Sequence, residues 1–450
     1  MKHELSHFAA RLGALISRPS GAIGASQFSD LALELFALQY ACNPAFRQIC
    51  DARQVSPLTL KSWNRIPFVP TGAFKVLELS SLNPEERTNV FHSSGTTGQS
   101  NSRHFHSPES LHLYQQSLWS WFERHFDARN DFLFLTPVPA AVPHSSLVHM
   151  FEIIRARCGQ PVSRFTGRLD GVGGWTVDFS TSVAALKHAC SASKPITLLG
   201  TAFSFVHLLD YLAENDRDFQ LPVGSRVMET GGYKNRSRVL PKPELHSLIA
   251  KYLGVGQEGI ICEYGMSELS SQAYDGAERD KTFLTGLTRL EQGNRDGRSE
   301  MNRRAGRPGS TAGETPTATM EEEYQRLTSS HPSPLPLSPL RGEGAAMDKH
   351  AFCSGGGHQR LDSVPKAAGG VAGDRHFQFP PWARGQIISP ETGIEVAVGE
   401  TGLIRIFDLA NVFSVAAIQT EDLGVRRDNG FDLVGRAQLA EPRGCSLMTS

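Results

Sequence analysis

Between residues 131 and 264 the chain alternates short apolar runs with longer amphipathic ones, and this alternation restricts the fold more than any other feature. "DFLFLTP", "PITLLGT", "SRVMETGG" and "GIICEYG" have the length and apolar density of buried strands. "SSLVHMFEIIRAR", "FSFVHLLDYLAEN" and "PKPELHSLIAKYLG" repeat apolar residues at helical spacing. Buried strands separated by helices predict an α/β fold, a parallel sheet with crossover helices. Ligands of such sheets bind at the carboxyl ends of the strands, which points to the polar turns after 131–136, 196–200, 225–230 and 259–264.

The flanks read differently. Residues 1–60 are predicted helical, with "SDLALELFALQYA" starting at a Ser29/Asp30 signal. "IPFVPTGAFK" (66–75) is predicted extended, and "SPESLHLYQQSLWSWFERHF" helical with Pro108 in its first turn. From 282 to 373 the periodicity stops in favour of Gly, Pro, Ser and Arg, a composition that predicts disorder. Because "HPSPLPLSPLRGEGA" looks like a translated dispersed bacterial DNA repeat, the expectation is an insertion into a once-continuous domain; a flexible linker is the alternative. The predicted organisation is an α/β first part (1–281), the insertion (282–373) and a β-rich end of the same domain (374–450) built from "FQFPPWARGQIISP", "TGLIRIFDL", "IQTEDLGVRR" and "GFDLVGR".

A formal net charge of −1 without a basic stripe argues against a nucleic-acid partner. No run reaches the roughly 18 apolar residues of a membrane span. "MKHELSHFAARLGALIS" reads as an amphipathic helix, not a signal peptide. Seven scattered cysteines without a C-x-x-C pair fit neither a disulfide framework nor a zinc site, so a cytoplasmic location is expected.

Four segments bear chemistry. In "VFHSSGTTGQS", Ser93, Ser94, Gly95, Thr96, Thr97 and Gly98 form either a plain turn or a loop whose backbone and hydroxyls cradle phosphate; it is not a Walker loop. In "ICEYGMSELSSQ", Tyr264, Gly265, Ser267 and Glu268 follow an apolar strand. Tyr264 is a base-stacking ring or a packing aromatic; Glu268 is an oxygen ligand for Mg²⁺ or a helix-start glutamate. "METGGYKNRSR" offers Gly231 and Gly232, a flat surface for a planar ring or a β-turn. In the last segment Asp422 is suited to ribose hydroxyls and Arg436 to a phosphate, unless both are surface turn residues.

Together and in this order, the four segments resemble the adenylate-forming superfamily of acyl- and aryl-CoA ligases. The finer similarity is to the LuxE-like acyl-protein synthetases of bacterial luminescence, carried by "IPFVPTGAFK", "HSSGTTGQS", "ETGGYKNRSR", "CEYGMSELSSQ", "FQFPPWARGQIISP" and "RGCSL" over roughly 20–281 and 375–447. The resemblance implies the adenylate-forming large-domain fold, layered α/β sheets with a small β-rich subdomain, here without the mobile C-terminal domain that carries a catalytic lysine. It implies ATP and Mg²⁺, a phosphate loop at 93–98, base and metal contacts at Tyr264 and Glu268, ribose contact at Asp422, and Arg436 after it. Cys445 matches the cysteine that receives the acyl group, and the other six cysteines are expected to pack. The implied partners are a fatty acid, an acyl reductase and an acyl transferase in one complex. His144, Gly200 and Thr201 lie in apolar segments suited to an acyl pocket; His144 is otherwise a loop residue. Where many superfamily members carry a lysine after the phosphate loop, this chain has Asn101, with Arg103 nearby to supply charge. Two other functions fit the same motifs: a CoA ligase, or a binding module in which the insertion has abolished catalysis.

Overall fold

The computed structural model describes residues 2–18, 21–93, 101–159, 163–171, 174–233, 236–278 and 375–437. Three helices open the chain: α1 (Lys2–Ile16), α2 (Ala25–Cys42) and α3 (Pro44–Ala52). α2 starts ahead of the Ser29/Asp30 signal because Phe28 is needed in its buried face, where its ring packs edge-on against Trp63 (5.2 Å) and Phe407 (6.0 Å). β1 (Val69–Pro70) is shorter than the extended stretch predicted for 66–75. Proline has no N–H with which to continue a ladder, and Thr71–Lys75 folds into a 3₁₀ turn that buries Phe74.

β2 (Asn89–His92) and β3 (Arg103–His106) then form an antiparallel hairpin, and α4 (Pro108–His125) follows. Ser107 caps α4: its hydroxyl accepts from Ser110 N at 3.2 Å, and its own N–H donates to Ser110 Oγ at 2.9 Å. The alternating region supplies β4 (Asp131–Phe134), α5 (Ser146–Cys158), β5 (Arg164–Phe165), β6 (Gly167–Leu169), β7 (Trp175–Val177) and α6 (Phe179–Ser191). It continues through β8 (Ile196–Thr201), α7 (Ala202–Glu214), β9 (Arg226–Thr230), α8 (Lys242–Leu253), β10 (Ile260–Tyr264) and β11 (Ala273–Tyr274).

The main sheet has the order β11-β10-β9-β8-β4-β5, parallel throughout except for β11, which pairs antiparallel to β10. Successive strand residues enter opposite layers, as the pleat requires. Leu133, Leu198, Val227 and Ile260 pack with Leu186, Leu209 and Ile249 of α6, α7 and α8. Phe132, Leu199, Met228 and Ile261 face the cluster containing Leu118 of α4, Phe151 of α5 and Phe36 of α2. Burial on both faces is why these strands read as continuous apolar runs.

A second sheet closes the fold from β12 (Ala383–Ile388), β13 (Thr401–Asp408), β14 (Ala417–Arg427) and β15 (Gly430–Arg436), all antiparallel, with β1 added in parallel to β14. The N-terminal helices are tied to it: Gln39 Nε2 donates to Asn411 O at 2.7 Å, and Asn43 Nδ2 to Ser414 O at 3.3 Å. Among the described residues, no helix is long and apolar enough to cross a membrane.

The stretch expected to be a disordered insertion lies outside the described residues, but its two flanks meet. Tyr274 and Gln378 exchange backbone hydrogen bonds of 3.1 and 2.9 Å, and Arg375 Nη2 donates to Asp275 Oδ1 at 2.9 Å. The fold therefore does not need the intervening chain to bring these ends together, and shortening a loop changes its closure entropy only logarithmically. A variant with residues 280–371 replaced by a short Gly/Ser linker is expected to melt cooperatively within a few degrees of the full chain. Loss of the cooperative transition would show that the fold depends on that stretch.

Candidate functional site

The ends of β9 and β10, the β2–β3 hairpin and the end of the second sheet converge. Of the Gly/Ser/Thr loop at the hairpin's tip, Ser94, Gly95, Thr96, Thr97 and Gly98 lie outside the described residues; Ser93 accepts from Ser102 N at 3.0 Å through its hydroxyl. Opposite His92 in the register stands Arg103. Its guanidinium lies 3.6 Å from Glu78 and over the Phe105 ring at 5.6 Å, so it is placed at the loop's base but already has partners.

The hairpin is pinned to the segment after β10. Ser102 Oγ lies 3.4 Å from Ser267 Oγ, and His104 Nδ1 lies 2.8 Å from Ser267 O. A carbonyl only accepts, so Nδ1 carries the proton, and burial holds His104 neutral by lowering its pKa to about 4. Ser267 Oγ donates to Glu268 Oε2 at 3.0 Å. Glu268 lies in a turn, not at a helix start, and is 5% exposed. It has no ion-pair partner among the described residues. A buried carboxylate with one hydroxyl donor and no cation is a donor set that fits a hard divalent ion.

The turn around Glu268 is anchored by a residue that the motif reading did not single out. Asp408, fully buried at the end of β13, accepts from Ser270 N (2.9 Å), Ser271 Oγ (2.7 Å) and Ala410 N (3.0 Å). Asn411 Nδ2 adds a bond of 2.8 Å to Glu268 O. The only signal for Asp408 was an acid inside the apolar run "GLIRIFDLA".

Burial raises the Asp408 carboxyl to about 6, against hydrogen bonds from Ser270, Ser271 and Ala410 that lower it. The folded state therefore holds a proton that the unfolded chain has already lost. The resulting stabilisation is complete below about pH 4 and is lost as pH rises through about 6. Asp408→Ala strands three donors and is expected to cost about 2–4 kcal/mol in urea unfolding, more at pH 5 than at pH 7. His104, His125 and His149, all lowered to about 4 by burial, titrate in the opposite sense but in both proteins, and so cancel in the difference. An unchanged midpoint in the variant would remove Asp408 from this anchoring role.

Tyr264, Asp422 and Arg436, distant in sequence, are in contact. Tyr264 Oη donates to Asp422 Oδ2 at 2.9 Å, and Arg436 Nε lies 3.5 Å from Asp422 Oδ1. Asp422 and Arg436 are also register partners of β14 and β15. The Tyr264 ring is only 6% exposed, enclosed by Phe377, Phe379 and Phe431 at 6.0, 6.3 and 5.4 Å. Its hydroxyl, not an open ring face, is what it presents. Burial is also the main reason that its pKa is raised and that of Asp422 with it.

Gly231 and Gly232 leave β9 beside this group, since Thr230 pairs with Glu263 in the register. A Cβ on either would meet nothing within 4 Å, and Gly231 has φ +67°. Gly265 is constrained instead: a Cβ there would collide with Glu263 Oε1. Glu263 is buried, accepts from Thr230 Oγ1 and has its carboxyl raised to about 7, chiefly by burial.

The three residues proposed for the acyl pocket are less alike. His144 stacks on His92 with centroids 4.7 Å apart, and its Nδ1 lies 3.1 Å from Val90 O, which puts it beside the hairpin. Gly200 is a close approach of β8 to its neighbour, where a Cβ would lie 2.9 Å from Leu135 Cβ. Thr201 is buried and caps α7, accepting from Ser204 N at 3.4 Å. Cys445 lies outside the described residues.

No family model matches the chain. It is similar to the long-chain-fatty-acid–luciferin-component ligase of Aliivibrio fischeri, 26% identical over 434 residues that span 93% of this chain and 86% of the relative. A protein of the same name from Vibrio harveyi is 23% identical over 258 residues, 56% of this chain and 65% of the relative. Among solved structures, 2-hydroxyisobutyryl-CoA ligase in an open conformation with 2-HIB-AMP and CoA superposes with a TM-score of 0.53 at 10% identity, covering 92% of this chain and 76% of that one. Its postadenylation state with 2-HIB-AMP gives 0.54 at 10% identity, covering 92% and 69%. The described residues thus have the fold of the adenylate-forming ligases, and the chain is similar in sequence to the luciferin-component ligases, as the motifs implied.

Proposed function

We propose that this chain activates a long-chain carboxylic acid with ATP and passes the acyl group to a thiol of its own, Cys445. The observation that carries the reading is the convergence of the β2–β3 hairpin, Ser267-Glu268 and the Tyr264–Asp422–Arg436 group at one end of the main sheet. The names of the relatives supply the class of acid.

In the first half-reaction a carboxylate oxygen forms a bond to the α-phosphorus of ATP, and the bond from that phosphorus to the leaving pyrophosphate breaks. The Ser93–Gly98 loop holds the phosphates with backbone N–H groups and hydroxyls, and Arg103 adds charge at its base. Gly231 and Gly232 leave space against the adenine. Tyr264 orients Asp422 to accept from the ribose hydroxyls, and Arg436 lies beside them. Glu268, whose carboxylate accepts from Ser267 Oγ and whose carbonyl accepts from Asn411, would hold Mg²⁺, and the ion would supply neutralising charge at the phosphates. His144, Gly200 and Thr201 border the acyl chain. In the second half-reaction the Cys445 thiolate attacks the acyl carbon, the carbon–oxygen bond of the mixed anhydride breaks, and AMP leaves. An acyl reductase and an acyl transferase are the proposed takers of the thioester.

Carboxylate-dependent ATP–pyrophosphate exchange, run on acids from phenylacetate to palmitate, tests the first step. Exchange stimulated by long-chain acids is the expected result. A folded sample that exchanges with none of them would overturn the reading in favour of a binding module.

A further inference from the structure

On the side of the main sheet covered by α8, three potential ligands meet that the proposed reaction does not use. Glu229 of β9 and Cys262 of β10 are register partners, so their side chains project from the same face, and His246 of α8 lies across them. All three are buried, at 8%, 3% and 7% exposure. Cys262 Sγ is 2.6 Å from Glu229 Oε1 and 3.6 Å from His246 Nε2, and His246 Nε2 is 3.5 Å from Glu229 Oε1.

We propose that Glu229, His246 and Cys262 form a site for one divalent transition-metal ion of the Zn²⁺ kind. Zinc takes thiolate at about 2.3 Å and nitrogen or oxygen at about 2.0–2.2 Å, so ligand atoms on a tetrahedron around it lie roughly 3.4–3.6 Å apart. The sulfur–nitrogen and oxygen–nitrogen separations already have these values. The sulfur–oxygen edge, at 2.6 Å, is about 1 Å short of these values and must open when a metal replaces the thiol proton. Binding therefore releases the thiol proton to solvent and forms the metal–sulfur bond in its place.

The ligand set excludes the hard ions, since Mg²⁺ and Ca²⁺ select all-oxygen cages whereas sulfur with imidazole selects zinc and its neighbours. A thiolate and a carboxylate cancel the two charges of the ion, and the Lys242 ammonium beside Cys262 is matched by Asp275 at 2.7 Å. The nearby acid, Asp275, is not free to join, because it is held by Lys242 at 2.7 Å and Arg375 at 2.9 Å. The ion would fasten the ends of β9 and β10 two residues before Gly231 and Tyr264. Cys262 is then more than the packing residue its scattered position in the sequence suggests.

The test is direct metal binding by the full chain after chelator treatment, with Co²⁺ as the optical probe and Zn²⁺ for stoichiometry and melting. One equivalent is expected, with a thiolate-to-cobalt charge-transfer band that survives Cys445→Ser and disappears in Cys262→Ser. Zn²⁺ well above its dissociation constant should raise the wild-type melting temperature by roughly 5 °C and leave Cys262→Ser unmoved. His246→Gln, which retains the thiol, should weaken uptake at least tenfold. Absence of the band and of the Zn²⁺ shift in the wild-type chain overturns the proposal without recourse to any variant. A band that persists in a folded Cys262→Ser protein overturns it equally.

Discussion

Glu268→Gln is expected to lower acid-stimulated ATP–pyrophosphate exchange about a hundredfold or more, equivalent to roughly 3 kcal/mol of transition-state stabilisation. The substitution removes a charge with little change of shape. Gln keeps an oxygen to accept from Ser267 Oγ, and the bond from Asn411 Nδ2 goes to the backbone carbonyl, which is untouched. The melting temperature should therefore stay close to that of the wild type while exchange collapses, a combination that a merely structural glutamate would not give. The Mg²⁺ concentration for half-maximal exchange should rise in the variant. Wild-type exchange from Glu268→Gln at ordinary Mg²⁺ would sink the assignment.

The second large effect falls on the other half-reaction. Cys445→Ala should abolish hydroxylamine-sensitive labelling of the protein by radioactive fatty acid, to background, yet leave pyrophosphate exchange within about twofold of wild type, since the adenylate forms before the thiol acts. Alanine has no nucleophile and cannot form the thioester. The measurement also separates the acyl-protein reading from a CoA ligase. If Cys445→Ala still releases AMP in a CoA-dependent manner, the acceptor is CoA and the cysteine is incidental. Persistent labelling would instead transfer the acceptor role to another side chain.

Much of the fold was legible because its main sheet is buried on both faces. That burial forces continuous apolar strands such as "PITLLGT", which are hard to mistake when helices of regular periodicity separate them. α6 escaped: "STSVAALKHACS" is small-residue rich and poor in large apolar side chains, and its N-cap, Asp178, accepting from Thr181 N at 3.1 Å, is a local detail. The β6–β7 hairpin escaped because two three-residue strands carry too little pattern. In the candidate site, residues in glycine- and hydroxyl-rich loops announced themselves by composition. Those that do their work by proximity did not. Asp408 reads as one acid in an apolar strand, and Glu229, His246 and Cys262 come from three segments with no shared spacing. Nothing local distinguishes such residues until the register is known.

The pairing of β1 with β14 also sets an order in time. Val69 and Pro70 take their partners from Ile418 and Gln419, and Gln39 and Asn43 wait for Asn411 and Ser414. On the ribosome the N-terminal helices are therefore finished long before the strands that cover them exist. At about 5–20 residues per second, the stretch between Asp275 and Arg375 alone adds roughly 5–20 s to that interval. During it, the Phe28 ring has no Phe407 of the second sheet to pack against. The nascent chain must spend that time exposed or in the care of a chaperone, which makes the yield of folded protein sensitive to translation speed and temperature in a way that its finished stability is not.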